Sequence, residues 1–305
     1  MATPDQPPDR GAISPYLLLV IPPLCWAGNF VVGRAMHADI PPAALTFWRW
    51  AVAAAVLLPI AGAAAWRLQR DLVRHWRLLA ILAASGVVGF QYCVYRGLQT
   101  TTAINGVLII ATIPAAIPAI AYALDGSRLR LRQAAGIALS TLGVGIVILQ
   151  GDLALLAARR LAPGDAWMAL AVPMWALYSV LIRRLPGAVP PLVLLFATAV
   201  IGLVLLVPLY AQERAAGRGF TVELPTLAAI GYVGVFASVI AFACWNHGVR
   251  SVGAAKAGLF IHLMPVFAGV LATLFLDERL EAFHFVGGAL IAAGLYLSST
   301  AGRTR

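Results

Sequence analysis

In a largely apolar chain, the side chains that could do chemistry are the polar ones inside long hydrophobic runs. Arg49 lies in Phe47-Trp48-Arg49-Trp50, and Asn29 follows Trp26 by three residues. Gln91, Tyr92 and Tyr95 share one run, and Asn105 opens the next. Trp175 and Tyr178 form a third group, Trp245 and Asn246 a fourth, and His262 precedes Pro265 by three residues. An arginine at the centre of a membrane helix costs about 2.5–3.5 kcal/mol. Arg49 therefore reads either as a residue snorkelling to the interface between two tryptophans or as a cavity residue. The aromatic and amide residues read as packing, as an interfacial belt, or as a pocket that would suit a small amphipathic solute. His262 beside a proline break reads as a structural donor or as a group on a water-filled path. Lys256 and Arg96, at span ends, read as snorkelling residues.

What the chain lacks narrows the chemistry further. Its twelve Asp and Glu residues all fall in the N-terminal tail, in loops or at the ends of apolar runs. No carboxylate pair serves acid–base work, no histidine cluster could hold a metal, and no Gly-rich loop with its lysine cradles a phosphate. No catalytic residue, metal or cofactor is expected, and the chain does not read as an enzyme. Cys25, Cys93 and Cys244 have no ligand spacing and read as small buried hydrophobes.

Composition sets the environment. Of 305 residues, 61% are hydrophobic and only 11% charged, whereas a soluble domain holds about 45–50% apolar residues. Such a chain must face lipid. A net charge of +10 would suggest nucleic acid in a soluble protein, but here the arginines lie between apolar runs, as the positive-inside rule expects. The expected partner is the bilayer, not nucleic acid.

Ten runs are long enough to cross a hydrocarbon core as helices: 15–36, 43–65, 77–98, 102–124, 131–150, 166–184, 191–211, 225–248, 254–276 and 283–301. A proline-rich polar tail, 1–14, precedes them and reads as loose. With the N-terminus cytoplasmic, 14 Lys and Arg residues fall inside and 6 outside, which places both termini in the cytoplasm.

The ten runs are two copies of five. At an offset of 151, Cys93 matches Cys244, Gly97 matches Gly248, Pro114 matches Pro265, Arg128 matches Arg279, Gly136 matches Gly287 and Gly143 matches Gly294. At an offset of 149, Trp26-Ala27 matches Trp175-Ala176, Arg34 matches Arg183 and Pro41-Pro42 matches Pro190-Pro191. The first copy spans 15–150, a loop spans 151–165 and the second copy spans 166–301. Five crossings is an odd number, so the second copy starts on the opposite side of the membrane and the copies are inverted. The expected fold is all-α: ten transmembrane helices in two inverted five-helix repeats around a central cavity. Pro114 and Pro265, equivalent kink positions, are candidate hinges. Gly136, Ser140 and Gly143, with Gly287 and Gly294, form small-residue stripes for helix contact within the chain or between two copies, so a homodimer is one expectation.

The runs Trp26-Ala27-Gly28-Asn29-Phe30, Phe47-Trp48-Arg49 and Leu276-Asp277-Glu278-Arg279-Leu280-Glu281 resemble the drug/metabolite transporter superfamily, in its ten-span EamA-type branch. The resemblance covers nearly the whole chain. The first copy departs from the last motif, with Leu124-Asp125-Gly126-Ser127-Arg128, and Thr198 stands where a mate of Arg49 would be. The resemblance implies a bacterial inner-membrane transporter with both termini inside. Within the branch the chain looks most similar to YddG-like exporters of aromatic amino acids. The reading that follows is export of aromatic or apolar amino acids by alternating access. The substrate cavity is then expected among Trp26, Asn29, Arg49, Gln91, Tyr92, Tyr95, Asn105, Trp175, Tyr178, Trp245, Asn246 and His262. The alternatives are a carrier of other metabolites or drugs and, from another class, a membrane enzyme or scaffold.

Overall fold

A computed structural model describes residues 14–149, 152, 162–185, 187–275 and 281–300. The tail before Ser14, most of the inter-repeat loop and the stretch from Leu276 to Leu280 lie outside the described residues. Everything described is helix, turn or short loop, with no strand among the described residues.

Seven helices are long and apolar enough to cross a membrane: Pro15–Ala35, Pro42–Arg67, Trp76–Leu98, Asn105–Asp125, Pro163–Arg184, Pro191–Ala215 and Leu224–Val252. These are spans one to four and six to eight. Spans five, nine and ten are the apolar helices Leu131–Ile148, Ala254–Phe275 with a 3₁₀ turn inside it, and Ala282–Thr300. Together they give the ten-helix architecture. Prolines mark the starts: Pro42 and Pro191, repeat mates, each open a helix at a position whose N–H would have no partner.

The two copies share their irregularities. Span three runs as a π-helix over Ala83–Gly89, and span eight does so over Val235–Ile240, the equivalent stretch. Span four breaks between Ala103–Ile110 and Ile113–Asp125, just before Pro114. Span nine tightens to 3₁₀ over Phe260–His262, just before Pro265. Each proline thus sits two or three residues beyond a departure from α-helix, as the loss of its N–H requires.

Spans five and ten pack on each other. A Cβ on Gly136 would come within 2.7 Å of the Gly294 carbonyl, and one on Gly143 within 2.6 Å of the Gly287 carbonyl. The lower-numbered glycine of one helix meets the higher-numbered glycine of the other, so the helices run antiparallel. Because Gly136 is the mate of Gly287 and Gly143 the mate of Gly294, this crossed pairing is the signature of a twofold axis between inverted copies. The small-residue stripes are therefore consumed inside the chain. A second antiparallel pair, spans two and seven, is stitched by Glu213. Its carboxylate accepts from the Ala43 and Ala44 N–H groups at 3.1 and 3.0 Å, capping span two from the end of span seven.

Candidate functional site

Arg49 lies seven residues into span two, roughly 10 Å from its start. Its side chain is fully buried, which corrects the reading of it as snorkelling. The guanidinium is held by neutral groups from both copies. Nε donates to Ser238 Oγ at 2.8 Å, and Nη2 donates to the Ala237 carbonyl at 3.1 Å, both in the π segment of span eight. Nη1 reaches Gln91 Oε1 and Tyr95 Oη at 2.7 Å each, and Asn29 Oδ1 at 3.4 Å. Tyr95 Oη in turn donates to Asn29 Oδ1 at 2.6 Å. Among the described residues the charge has no carboxylate partner; Arg184 with Asp125, at the surface, is an ion pair elsewhere. Taking an ion out of water costs several kcal/mol even after relaxation, and hydrogen bonds to dipoles offset only part of that. The result is a fixed positive charge in the interior with no counterion among the described residues.

Beside it stands a cluster of rings. Trp26 and Trp175, repeat mates, meet edge to face with centroids 4.9 Å apart. Trp245 lies 5.4 Å from each of them, and Phe242 is 5.2 Å from Trp175. Trp26 Nε1 donates to the same Ala237 carbonyl that Arg49 uses, at 3.1 Å. Tyr178 donates to Asn246 Oδ1 at 2.9 Å, and its ring fits because Gly86 has no Cβ, which would stand 2.3 Å from it.

A cavity lies at the junction of the copies, lined by Trp26, Asn29, Phe90, Gln91, Trp175 and Met264, among others. At about 10 Å³ it holds about one water molecule. Ligand pockets run to about 300–1,000 Å³, so this arrangement is closed. A vestibule of about 440 Å³ opens where spans four, six and eight end, lined by Asp125, Arg128, Arg183, Arg184, Val252 and Lys256.

Of the expected cavity residues, Trp26, Asn29, Gln91 and Trp175 line the closed cavity. Arg49 and Tyr95 stand behind Asn29 and Gln91, and Tyr178, Trp245 and Asn246 gather in the second copy. Three are placed elsewhere. Tyr92 is half-buried against Trp167, Asn105 is half-exposed near the start of span four, and His262 is tied between helices. His262 is fully buried, with Nε2 2.9 Å from the Ala111 carbonyl and Nδ1 2.7 Å from Ser140 Oγ. A carbonyl can only accept, so Nε2 carries a proton, and the ring clamps spans four, five and nine. Cys25 and Cys93 are buried, but Cys244 is half-exposed.

Ser238 and the Ala237 carbonyl are absent from the sequence-based list. Ser238 falls seven and eight residues before Trp245 and Asn246, on one helical face, and that spacing could have found it. The freed carbonyl depends on the π segment, which composition does not mark.

The sequence profile of the EamA-like transporter family matches residues 13–149 and 162–300. An "uncharacterized transporter" of Archaeoglobus fulgidus is 27% identical over 93% of this chain and 96% of its own length. A "probable terminal-alkyne amino-acid exporter" of Streptantibioticus cattleyicolor is 28% identical over 94% of each chain. A solved crystal structure overlays with a TM-score of 0.74 at 19% identity, covering 95% of this chain and 99% of that one, a likeness of fold. Two profile matches, one per five-helix copy, account for nearly the whole molecule: the chain belongs to the EamA-like transporter family, in the drug/metabolite transporter superfamily.

Proposed function

We propose that this multi-pass membrane transporter exports amino acids, aromatic or otherwise apolar, by alternating access across a bacterial inner membrane, with both termini cytoplasmic. The observation that carries the reading is the pairing of a ring-walled cavity with Arg49, a buried cation lacking an anionic neighbour among the described residues. An amino acid offers an apolar body to the rings and a carboxylate to the charge. The family relative whose name specifies amino-acid export supports the same class of solute. Because the cavity holds about 10 Å³, the solute enters only after the copies part, and inverted copies supply two equivalent partings.

Arginines and a lysine around the vestibule attract anions to that mouth. A cationic drug would need an acid, but the buried acids are engaged as caps: Glu213 on span two, and Asp165 with Thr101 and the Ala162 N–H. Coupling to protons is accordingly weak or absent. Flux of radiolabelled phenylalanine into and out of proteoliposomes tests the proposal. Saturable flux without an imposed proton gradient is expected. Absence of flux for any amino acid removes the substrate class, and strict dependence on a proton gradient removes the coupling claim.

A further inference from the structure

The second copy holds buried hydrogen-bond donors that the other described residues do not use. Trp175 Nε1, Trp245 Nε1 and Asn246 Nδ2 have no acceptor among the described residues, and the Ser179 hydroxyl has no partner there. All four residues are at most 1% exposed. An indole N–H and an amide NH₂ can only donate. A group that satisfies them must bring lone pairs, and leaving them unmade in a dry site costs free energy. In the first copy the equivalent indole, Trp26, spends its N–H on the Ala237 carbonyl. The spare state of Trp175 is thus a difference between mates, not a property of the position.

Three facts set these donors at the transport pocket, one in its wall and the others packed behind that wall. Trp175 lines the closed cavity. Trp245 packs tilted against both Trp26 and Trp175, with ring centroids 5.4 Å from each. Asn246 is bound to Tyr178, whose ring lies 5.3 Å from that of Trp175. The charge of Arg49 is one shared carbonyl away, through Trp26 and Ala237. No carboxylate among the described residues stands by to receive an ammonium group, since Asp165 and Glu213 serve as caps and Asp125 pairs with Arg184.

We infer that these donors form the subsite for the solute's anionic end, so that the recognised unit is an apolar or aryl monocarboxylate and its amine is dispensable. As the cavity opens, the carboxylate accepts from Trp175, Trp245 and Asn246 in the field of Arg49, while the apolar body lies among the rings. This rests on reading the site as a transport pocket, but it changes the substrate class: aryl carboxylic acids belong to it and aryl amines do not.

Isothermal titration of the purified full chain with phenylalanine, 3-phenylpropionate and phenethylamine tests it, together with flux of the same three solutes. Expected are comparable affinities for the two carboxylates and at least about 10-fold weaker binding of the amine, the scale of one charge-assisted hydrogen bond. Trp175→Phe and Trp245→Phe keep a ring and lose one donor. Each should weaken carboxylate binding about 10-fold and leave the amine unchanged. Should either variant fail to fold, the wild-type series decides alone. Equal binding of amine and acids overturns the inference and leaves amino-acid export standing. Binding and flux of 3-phenylpropionate without phenylalanine flux overturns amino-acid export and sustains the inference. Binding of none of the three overturns both.

Discussion

The two copies carry the same hydrogen-bonded pair in opposite order. In the first, Asn29 on span one accepts from Tyr95 on span three. In the second, Tyr178 on span six donates to Asn246 on span eight. Asn29 and Tyr178 are mates, as are Tyr95 and Asn246, so asparagine and tyrosine have traded places while the bond between spans persists. The difference lies in what surrounds each pair. Arg49 clamps the first pair, and its mate Thr198 turns its hydroxyl to the Leu194 and Leu195 carbonyls of its own helix. The second pair is left with spare donors. Duplication supplies the scaffold twice, and the copies furnish it differently, with a buried cation in the first and spare donors in the second. An unsymmetrical solute needs such a site, and a symmetrical pocket would not orient it.

The contrast can be broken most severely by Thr198→Arg. At the mates of Gln91 and Ser238 stand Phe242 and Val87, so a guanidinium there would lack those two acceptors, and a buried, poorly satisfied charge should cost about 3–5 kcal/mol. Loss of monodisperse protein in detergent would show it. Normal yield and melting would mean that the cradle around Arg49 is not special. Arg49→Met should reduce carboxylate flux about 100-fold, the upper scale for charged hydrogen bonds. The melting temperature should move little, because removing an unpaired ion offsets leaving Ser238 and Gln91 without a donor. Arg49→Lys should fall between, since an ammonium cannot reach partners spread around a planar fork. A large melting shift with flux intact would make Arg49 a structural residue.

Smaller effects sharpen the comparison. Tyr95→Phe removes one bond given and one received and should destabilise by about 2–3 kcal/mol. Tyr178→Phe removes one and should cost about 1 kcal/mol. Equal losses in chemical unfolding would deny that Arg49 makes the first pair different. Ser140→Ala, which takes a partner from His262 at a position whose mate is Ile291, should cost about 1 kcal/mol and leave flux unchanged.

Much of the fold was legible because the signals were long-range and repeated. Proline, glycine and cysteine recur in one register, and counting crossings gives inversion without any coordinates. The proline mates marked real helix breaks, since a missing N–H has its effect wherever it falls. The site was legible by residue type but not by direction. Arg49 could face lipid or cavity because both faces of span two are apolar, and only the neighbouring helices decide which is inside. The Ala237 carbonyl escaped because it belongs to a π segment, which residue types do not mark, whereas Ser238 was legible from its spacing to Trp245 and Asn246. Tyr92 differs from Tyr95 by less than one turn, yet the first touches Trp167 and the second touches Arg49.

His262 touches the carbonyl of Ala111, its own counterpart in the duplication. A point that meets its counterpart sits on the symmetry axis, where exchanging the shapes of the two copies displaces nothing. That contact is the hub of the molecule, and it need not open during a transport cycle. Displacement should grow with distance from it, so spectroscopic labels at the hub would stay silent while a pair across Arg184 and Val252 would report each stroke.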